Sequence, residues 1–272
     1  MDACIVIPAR FASSRYPGKP LVPLRGASGQ TRSLLARCVD VARAVDLGAG
    51  EGGAAQVFVA TDDARIADEG ARIGVDVIMT PDTCANGSER VAEAVARAGI
   101  EADIIVNLQG DAPLTPPHFL SDLIAAMRAD PECGMATPCL RCDPETVGHL
   151  LADRRAGRVG ATTVVRDGRG YALYFSKEVL PFGGGRADVA DAAPIFHHVG
   201  VYAYRRAALR AYADWAPGPL ERSEGLEQLR FLENGQPVRV VEVSAPGAAF
   251  WEVNNPSDVP LVEAYLARQR ID

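Results

Sequence analysis

Ala3-Cys4-Ile5-Val6-Ile7-Pro8 is followed by Ala9-Arg10-Phe11-Ala12-Ser13-Ser14-Arg15-Tyr16-Pro17-Gly18-Lys19-Pro20-Leu21. Residues 3–7 are apolar without alternation and rich in Ile and Val, as a strand buried on both faces requires, and Pro8 ends the run. The stretch after it carries Arg10, Arg15 and Lys19 and no acidic residue. A buried parallel strand that empties into a basic loop predicts a phosphate-holding turn. Small Ala9 lets the backbone approach the anion, and arginine suits bidentate phosphate contacts. The GxxxxGK[ST] pattern of a P-loop is absent.

Outward from this point, helical and extended patterns alternate. Leu34, Leu35, Cys38, Val41, Ala42 and Val45 share one side of a helix over 33–45. Strands are predicted at 56–60, 75–79 and 103–108, the last nearly all buried. Helices are predicted at 64–73, capped by Asp62 or Asp63, and at 88–98. Gly48–Gly53 reads as a mobile connector. This order predicts an α/β fold with a mainly parallel sheet, whose ligands bind at the carboxyl ends of the strands. The loops there are 8–19, 80–90 and 109–113. The second half is more mixed, with strand patterns at 134–140, 162–166, 172–176, 198–205 and 238–243 and helical ones at 224–234 and 257–270.

With 272 residues, 48% of them hydrophobic, the chain suffices for one domain of two closely joined lobes, with the active cleft expected between them. A net charge of −7 argues against a nucleic-acid partner. No apolar run reaches the roughly 18 residues of a membrane span, and the start lacks a basic, then apolar, leader. A cytoplasmic protein is expected, with no membrane partner. The six cysteines should be reduced thiols. Cys139-Leu140-Arg141-Cys142 lacks the second ligand pair that zinc would need, and packing is the expected role of these cysteines.

The basic loop resembles the signature of the CMP-Kdo synthetases, the 3-deoxy-manno-octulosonate cytidylyltransferases. The likeness continues in order through Gly87-Ser88-Glu89-Arg90-Val91-Ala92-Glu93, Asn107-Leu108-Gln109-Gly110-Asp111-Ala112-Pro113, Tyr171-Ala172-Leu173-Tyr174-Phe175-Ser176-Lys177, His198-Val199-Gly200-Val201-Tyr202-Ala203-Tyr204-Arg205 and Leu226-Glu227-Gln228-Leu229-Arg230. The resemblance implies a three-layer, Rossmann-like nucleotidyltransferase fold, with a nucleotide-binding lobe over about 1–128 and a sugar-binding, dimerising lobe over about 129–272. It implies that CMP passes from CTP to the anomeric hydroxyl of a small acidic sugar, and that the chain is a homodimer. Ala9, Arg10, Arg15 and Lys19 would serve the triphosphate, and Ser88, Glu89 and Arg90 would lie near the nucleotide. Gln109 and, with Arg15, also His198, Tyr202, Glu227 and Gln228 would meet the sugar acid, and Asp111 would bind Mg²⁺.

Two of these roles have independent physical support. A carboxylate at the end of a buried strand suits Mg²⁺, a hard cation that prefers oxygen; capping a helix near Pro116 or Pro117 is the alternative for Asp111. His198 and Tyr202, four apart on one predicted strand, would share a face, although a lone histidine on a strand is also commonly a core group.

The chain departs from the family's pattern at three places. Ala112 stands where the third motif has Glu. Asn254, in Val253-Asn254-Asn255-Pro256-Ser257-Asp258, stands where a metal-binding Asp is expected; an amide oxygen can ligate Mg²⁺ but brings no charge. Asn255, Pro256 and Asp258 fit the N-cap, N1 and N3 of a helix. Phe182-Gly183-Gly184-Gly185-Arg186 replaces a charged segment expected to face the sugar. These changes leave open a different acidic substrate, or a weakly catalytic nucleotide-binding relative.

Overall fold

In the computed structural model the described residues are 2–13, 15–47, 55–159, 161–183, 194–245 and 252–272. The glycine connector and most of the 182–186 segment lie outside them. Two compact units are present, residues 1–124 with 245–272, and residues 125–244. The expected division near 128 thus differs in one respect: the chain's last stretch packs with the first unit.

The first unit holds β1 (Ala3–Ala9), β2 (Pro23–Arg25), β3 (Thr31–Ser33), α1 (Leu34–Arg43), β4 (Gln56–Thr61), α2 (Ala64–Arg72), β5 (Asp76–Met79), α3 (Gly87–Ala98) and β6 (Ile104–Leu108). Helix α4 (Pro117–Ala129) then carries the chain into the second unit. Strands β5, β4, β1 and β6 are parallel and lie in that order. Every residue of β1 and β6 is buried, as their almost wholly apolar sequence demands; Asn107 is the polar member of β6. Pro8 sits inside β1, one step further than expected. Pairing with β6 ends at Val6, so Pro8 is flanked by β4 alone and its missing N–H interrupts no inner ladder. Ser33 caps α1, Asp63 caps α2 and Asn86 caps α3 through their side chains.

Strand order reverses between β1 and β6. The chain steps outward from β1 to β4 and β5, then returns to β1's other side. In an open α/β sheet such a reversal leaves a crevice at the carboxyl ends of the two strands. The basic loop leaves β1 there, and Gln109-Gly110-Asp111 leaves β6.

The second unit contains β7 (Met135–Arg141), α5 (Pro144–Arg155), β8 (Thr163–Arg166), β9 (Ala172–Ser176), β10 (Phe196–His198), β11 (Val201–Arg205), α6 (Arg206–Asp214), α7 (Pro219–Glu224), α8 (Leu229–Glu233) and β12 (Val238–Glu242). Here pairing is mixed: β7 takes β10 and β11 antiparallel and β12 parallel. Two expectations are corrected. The strand over 198–205 is two strands, turned at Val199 and Gly200. The helix over 224–234 is broken by Gly225, whose φ of 62° ends α7 in the left-handed region that glycine adopts freely.

Back in the first unit, a 3₁₀ turn over Pro256–Asp258 leads into α9 (Val259–Gln269). Asn255 and Asp258 form the capping box that their spacing suggested. The chain end is tied to the β2–β3 hairpin: Ala27 donates its backbone N–H to Ile271 at 2.9 Å, and Ser28 donates to the Asp272 carboxylate at 2.6 Å.

Candidate functional site

The first unit gathers its charges at the crevice. Gly110 allows β6 to turn there, since a Cβ would lie 2.8 Å from the Pro8 carbonyl oxygen. After β1 the basic loop folds back on itself: the Gly18 N–H reaches the Phe11 carbonyl at 2.9 Å, and the Arg65 guanidinium lies 3.3 Å from the centre of the Phe11 ring. Gly18 has φ +72° and starts the turn that presents Lys19. Lys19 Nζ is 2.6 Å from Asp111 Oδ2. Arg10 and Arg15 are exposed, as groups meant for a charged solute would be. Arg15 Nη2 donates to Asn254 Oδ1 at 3.0 Å.

The start of α3 has a more structural character than its sequence suggested. The Asn86 side chain accepts from the Glu89 N–H at 2.8 Å, and Glu89 Oε2 accepts from the Ala85 N–H at 2.8 Å. Arg90 is 3% exposed and braces two loops, donating to Thr80 Oγ1 at 2.6 Å and Asp62 Oδ2 at 2.9 Å. Ser88 is buried and accepts from Asn107 Nδ2 at 3.4 Å; Gln109 Nε2 donates to Asn107 Oδ1 at the same distance. The Asn107 side chain, on β6, therefore joins Ser88 to Gln109.

Residues 252–254 run beside Asp111, with the Val253 N–H on the Asp111 carbonyl at 2.9 Å. This brings in a residue that sequence reasoning missed. Glu252 Oε2 accepts from Asn254 Nδ2 at 3.2 Å. Desolvation, then the Asp111 carboxylate, push the Glu252 carboxyl above its ordinary value, while the Asn254 bond, Lys19 and Arg15 pull it down. The signal was position: in an extended segment, residue 252 shares a side with 254.

Among the described residues, no three His, Cys, Asp or Glu side chains converge to form a metal cage. A cation shared with a phosphate chain needs only one or two carboxylates. Asp111 fits that requirement: its carboxylate already holds a cationic group, the Lys19 ammonium.

In the second unit His198, Tyr202 and Gln228 form a neutral, buried group. His198 and Tyr202 do meet, with ring centroids 5.7 Å apart, but across the turn between β10 and β11 and not along one strand. Phe175 closes edge-on against His198 at 5.0 Å. Thr137 Oγ1 donates to the Val201 carbonyl at 2.8 Å, so His198 Nε2, 2.9 Å away, is the donor to that hydroxyl and Nδ1 remains an acceptor. Burial, then the neighbouring His197, lower the His198 pKa to about 3, so the ring is neutral at physiological pH.

Tyr202 donates to Gln228 Oε1 at 3.3 Å. Gln228 is 1% exposed, and its Nε2 has no hydrogen-bond partner among the described residues. A buried donor left unmatched costs about 1–3 kcal/mol and marks a place where an acceptor belongs. Glu227, next to it, is half-buried. Arg230 of the same motif serves the fold instead. It is buried and forms a bidentate pair with Glu221 at 2.6 and 2.7 Å.

Cys139 and Cys142 are buried, and burial pushes their thiols up to about 12 and about 11. They are packing groups with little thiolate character.

The chain is similar to known proteins over nearly its whole length. The family model described as Cytidylyltransferase matches residues 4–240. The 3-deoxy-manno-octulosonate cytidylyltransferase of Maricaulis maris is 42% identical over 99% of this chain and 98% of its own. The protein of the same description from Chlamydia pneumoniae is 37% identical over 97% of this chain and 93% of its own. The solved CMP:2-keto-3-deoxy-manno-octonic acid synthetase, complexed with CTP, superimposes with a TM-score of 0.82 at 34% identity, covering 99% of this chain and 100% of that one.

Proposed function

The chain belongs to the cytidylyltransferase family, and on that basis we propose that it transfers CMP from CTP to the anomeric hydroxyl of Kdo, 3-deoxy-manno-octulosonate. The hydroxyl oxygen forms a bond to the α-phosphorus, the bond from that phosphorus to the β-phosphate's bridging oxygen breaks, and pyrophosphate and a proton leave. The observation that carries the reading is the Lys19–Asp111 pair at the strand-order reversal, with Arg15 beside it.

Arg10, Arg15 and Lys19 bind the triphosphate through charge-assisted hydrogen bonds. Asp111 would hold Mg²⁺, which neutralises phosphate charge and orients the α-phosphate for in-line attack. No covalent intermediate with a side chain is needed, because phosphoryl-type transfer rests on positioning and electrostatics. The sugar acid is bound by neutral groups. Gln228 Nε2 donates to one of its oxygens, His198 Nδ1 accepts from a hydroxyl, and Tyr202 holds both side chains in place. Gln109, joined to Ser88 through Asn107, also faces the sugar acid.

A Kdo nucleotide implies a role in lipopolysaccharide assembly. With that role go a cytoplasmic setting and a homodimer, the latter to be measured by light scattering. Among the described residues, no helix is long and apolar enough to cross a membrane.

The test is pyrophosphate release with CTP, UTP, GTP and ATP against a panel of 2-keto sugar acids. CTP with Kdo is expected to give the highest kcat/KM, and the product should be CMP-Kdo by ³¹P NMR. Absence of turnover with every sugar acid would remove the assignment. A clear preference for another acid would keep the chemistry and change the substrate.

A further inference from the structure

We infer that Glu252 supplies the second carboxylate of the cation site at Asp111, and that Asn254 is a positioning residue and not a ligand. This rests on the reading of the site given above.

The Asn254 side chain is engaged at both ends. Its Oδ1 accepts from Arg15 and its Nδ2 donates to Glu252. The oxygen is the only side-chain atom that could ligate a cation; Arg15 lies on it, and unlike the Asp111 carboxylate it carries no charge to draw a cation in. The amide thus works as a bridge, holding a cationic group on one side and a carboxylate on the other. Asp258 cannot supply the missing acid. Its Oδ2 takes the backbone N–H groups of Asn254 at 2.8 Å and Asn255 at 2.7 Å.

Glu252 has no such obligation. Among the described residues its hydrogen-bond partner is Asn254 alone, and it keeps solvent access. The backbone bond from Val253 to Asp111 fixes the segment alongside the other acid, and the alternation of an extended chain puts 252 and 254 on one side. Two carboxylates, Asp111 and Glu252, then face two cationic side chains, Lys19 and Arg15. When phosphate oxygens take over Lys19, the Asp111 carboxylate is freed to act together with the solvent-accessible Glu252. One or two carboxylates with phosphate oxygens is what Mg²⁺ requires. The negative charge absent at position 254 is therefore present, displaced by two residues.

The experiment titrates Mn²⁺ into the full chain with CTP, reading free Mn²⁺ by electron paramagnetic resonance. The proteins are the starting chain, E252Q, N254D, E252Q/N254D and, as a control, D111N. E252Q is expected to weaken Mn²⁺ binding tenfold or more. N254D alone should change it less than threefold, because the new charge falls against Glu252. The double variant should return to within about threefold of the starting chain, since the carboxylate has only been moved. Binding by E252Q equal to that of the starting chain overturns the inference, and so does a tenfold gain from N254D alone. Failure of the functional reading is distinguishable from these outcomes: it would appear as no turnover of CTP and Kdo by the starting chain, or as unaltered Mn²⁺ binding by D111N.

Discussion

The two groups of functional residues are built on opposite principles. In the first unit, cations and the oxygens that accept from them stand half-buried or exposed about the ends of β1 and β6: Lys19 with the Asp111 carboxylate, Arg15 with the Asn254 amide. In the second, His198, Tyr202 and Gln228 are buried and neutral, packed by aromatic rings, and one buried donor is left over. A triphosphate is strongly hydrated and highly charged. Mobile charges that can exchange one partner for another suit it. A sugar acid is told apart by the placement of its hydroxyls, and that calls for fixed donors and acceptors whose unmatched state is costly.

The sharpest way to break this contrast is to remove charge from the first group. Asp111→Asn should lower Mg²⁺-dependent kcat/KM by on the order of 10²–10³-fold, comparable with the loss of one preorganised electrostatic group. Full activity in a pyrophosphate-release assay would show that the charges there are structural. Elsewhere in the second unit, the expected cost of losing a charge is to stability instead. Glu221→Ala strands the Arg230 guanidinium, 2% exposed at its side chain, and should destabilise the fold by about 3–5 kcal/mol in urea unfolding. A change below about 1 kcal/mol would mean that the second unit tolerates buried charge.

Gln228→Leu sharpens the comparison further. It deletes a donor that no described residue accepts, but also the acceptor of the Tyr202 hydroxyl, so stability should fall by about 1 kcal/mol. KM for the sugar acid should increase by roughly tenfold to a hundredfold, the worth of about 1.5–3 kcal/mol for a hydrogen bond to a charged group. KM for CTP should stay where it is, and an equal rise in both constants would contradict the division of labour.

The smallest effect concerns acid. The His198 pKa falls from 6.5 to about 3 on folding, so below pH 6.5 the unfolded chain binds the extra proton and the folded chain does not. This contribution is fully present above 6.5 and is lost as pH falls towards 3. Between pH 7 and 5 it amounts to roughly 2 kcal/mol. His198→Gln should flatten the stability–pH curve in that window; an unchanged slope would show that the ring is protonated in the folded chain.

Strands β1 and β6 were legible because double burial leaves nearly continuous apolar runs, β4 and β5 because of their Val- and Ile-containing stretches, and each of those four strands lies within a residue or two of its expected ends. Lys19 and Asp111 were legible for the same reason: each follows such a run. The breaks at Gly200 and Gly225 were not, because apolar periodicity carries through a single residue whose φ has changed sign or whose chain has turned. Helix α5 was missed because its apolar residues form hardly any stripe, and only Val147 and Leu150 are buried. Glu252 was beyond reach for another reason. Its relevance depends on one backbone bond between Val253 and Asp111, residues far apart in the chain, and its place two residues before Asn254 was the only local hint. Arg230 shows the converse. It stands in a motif beside Gln228, yet its job is to hold α7 to α8.

Residues 252–272 lie in the first unit, although the roughly 120 residues of the second come between. At about 5–20 residues per second on the ribosome, the amino-terminal portion waits roughly 7–30 s between completion of β6 and synthesis of the segment that borders Asp111. During that interval a nascent chain can hold its parallel strands and its basic loop while lacking Glu252, Asn254 and the tie from Ala27 and Ser28 to the chain end. On the proposed reading, the cation site is therefore completed only after residues 125–244 have been made, when Glu252 and Asn254 join Asp111.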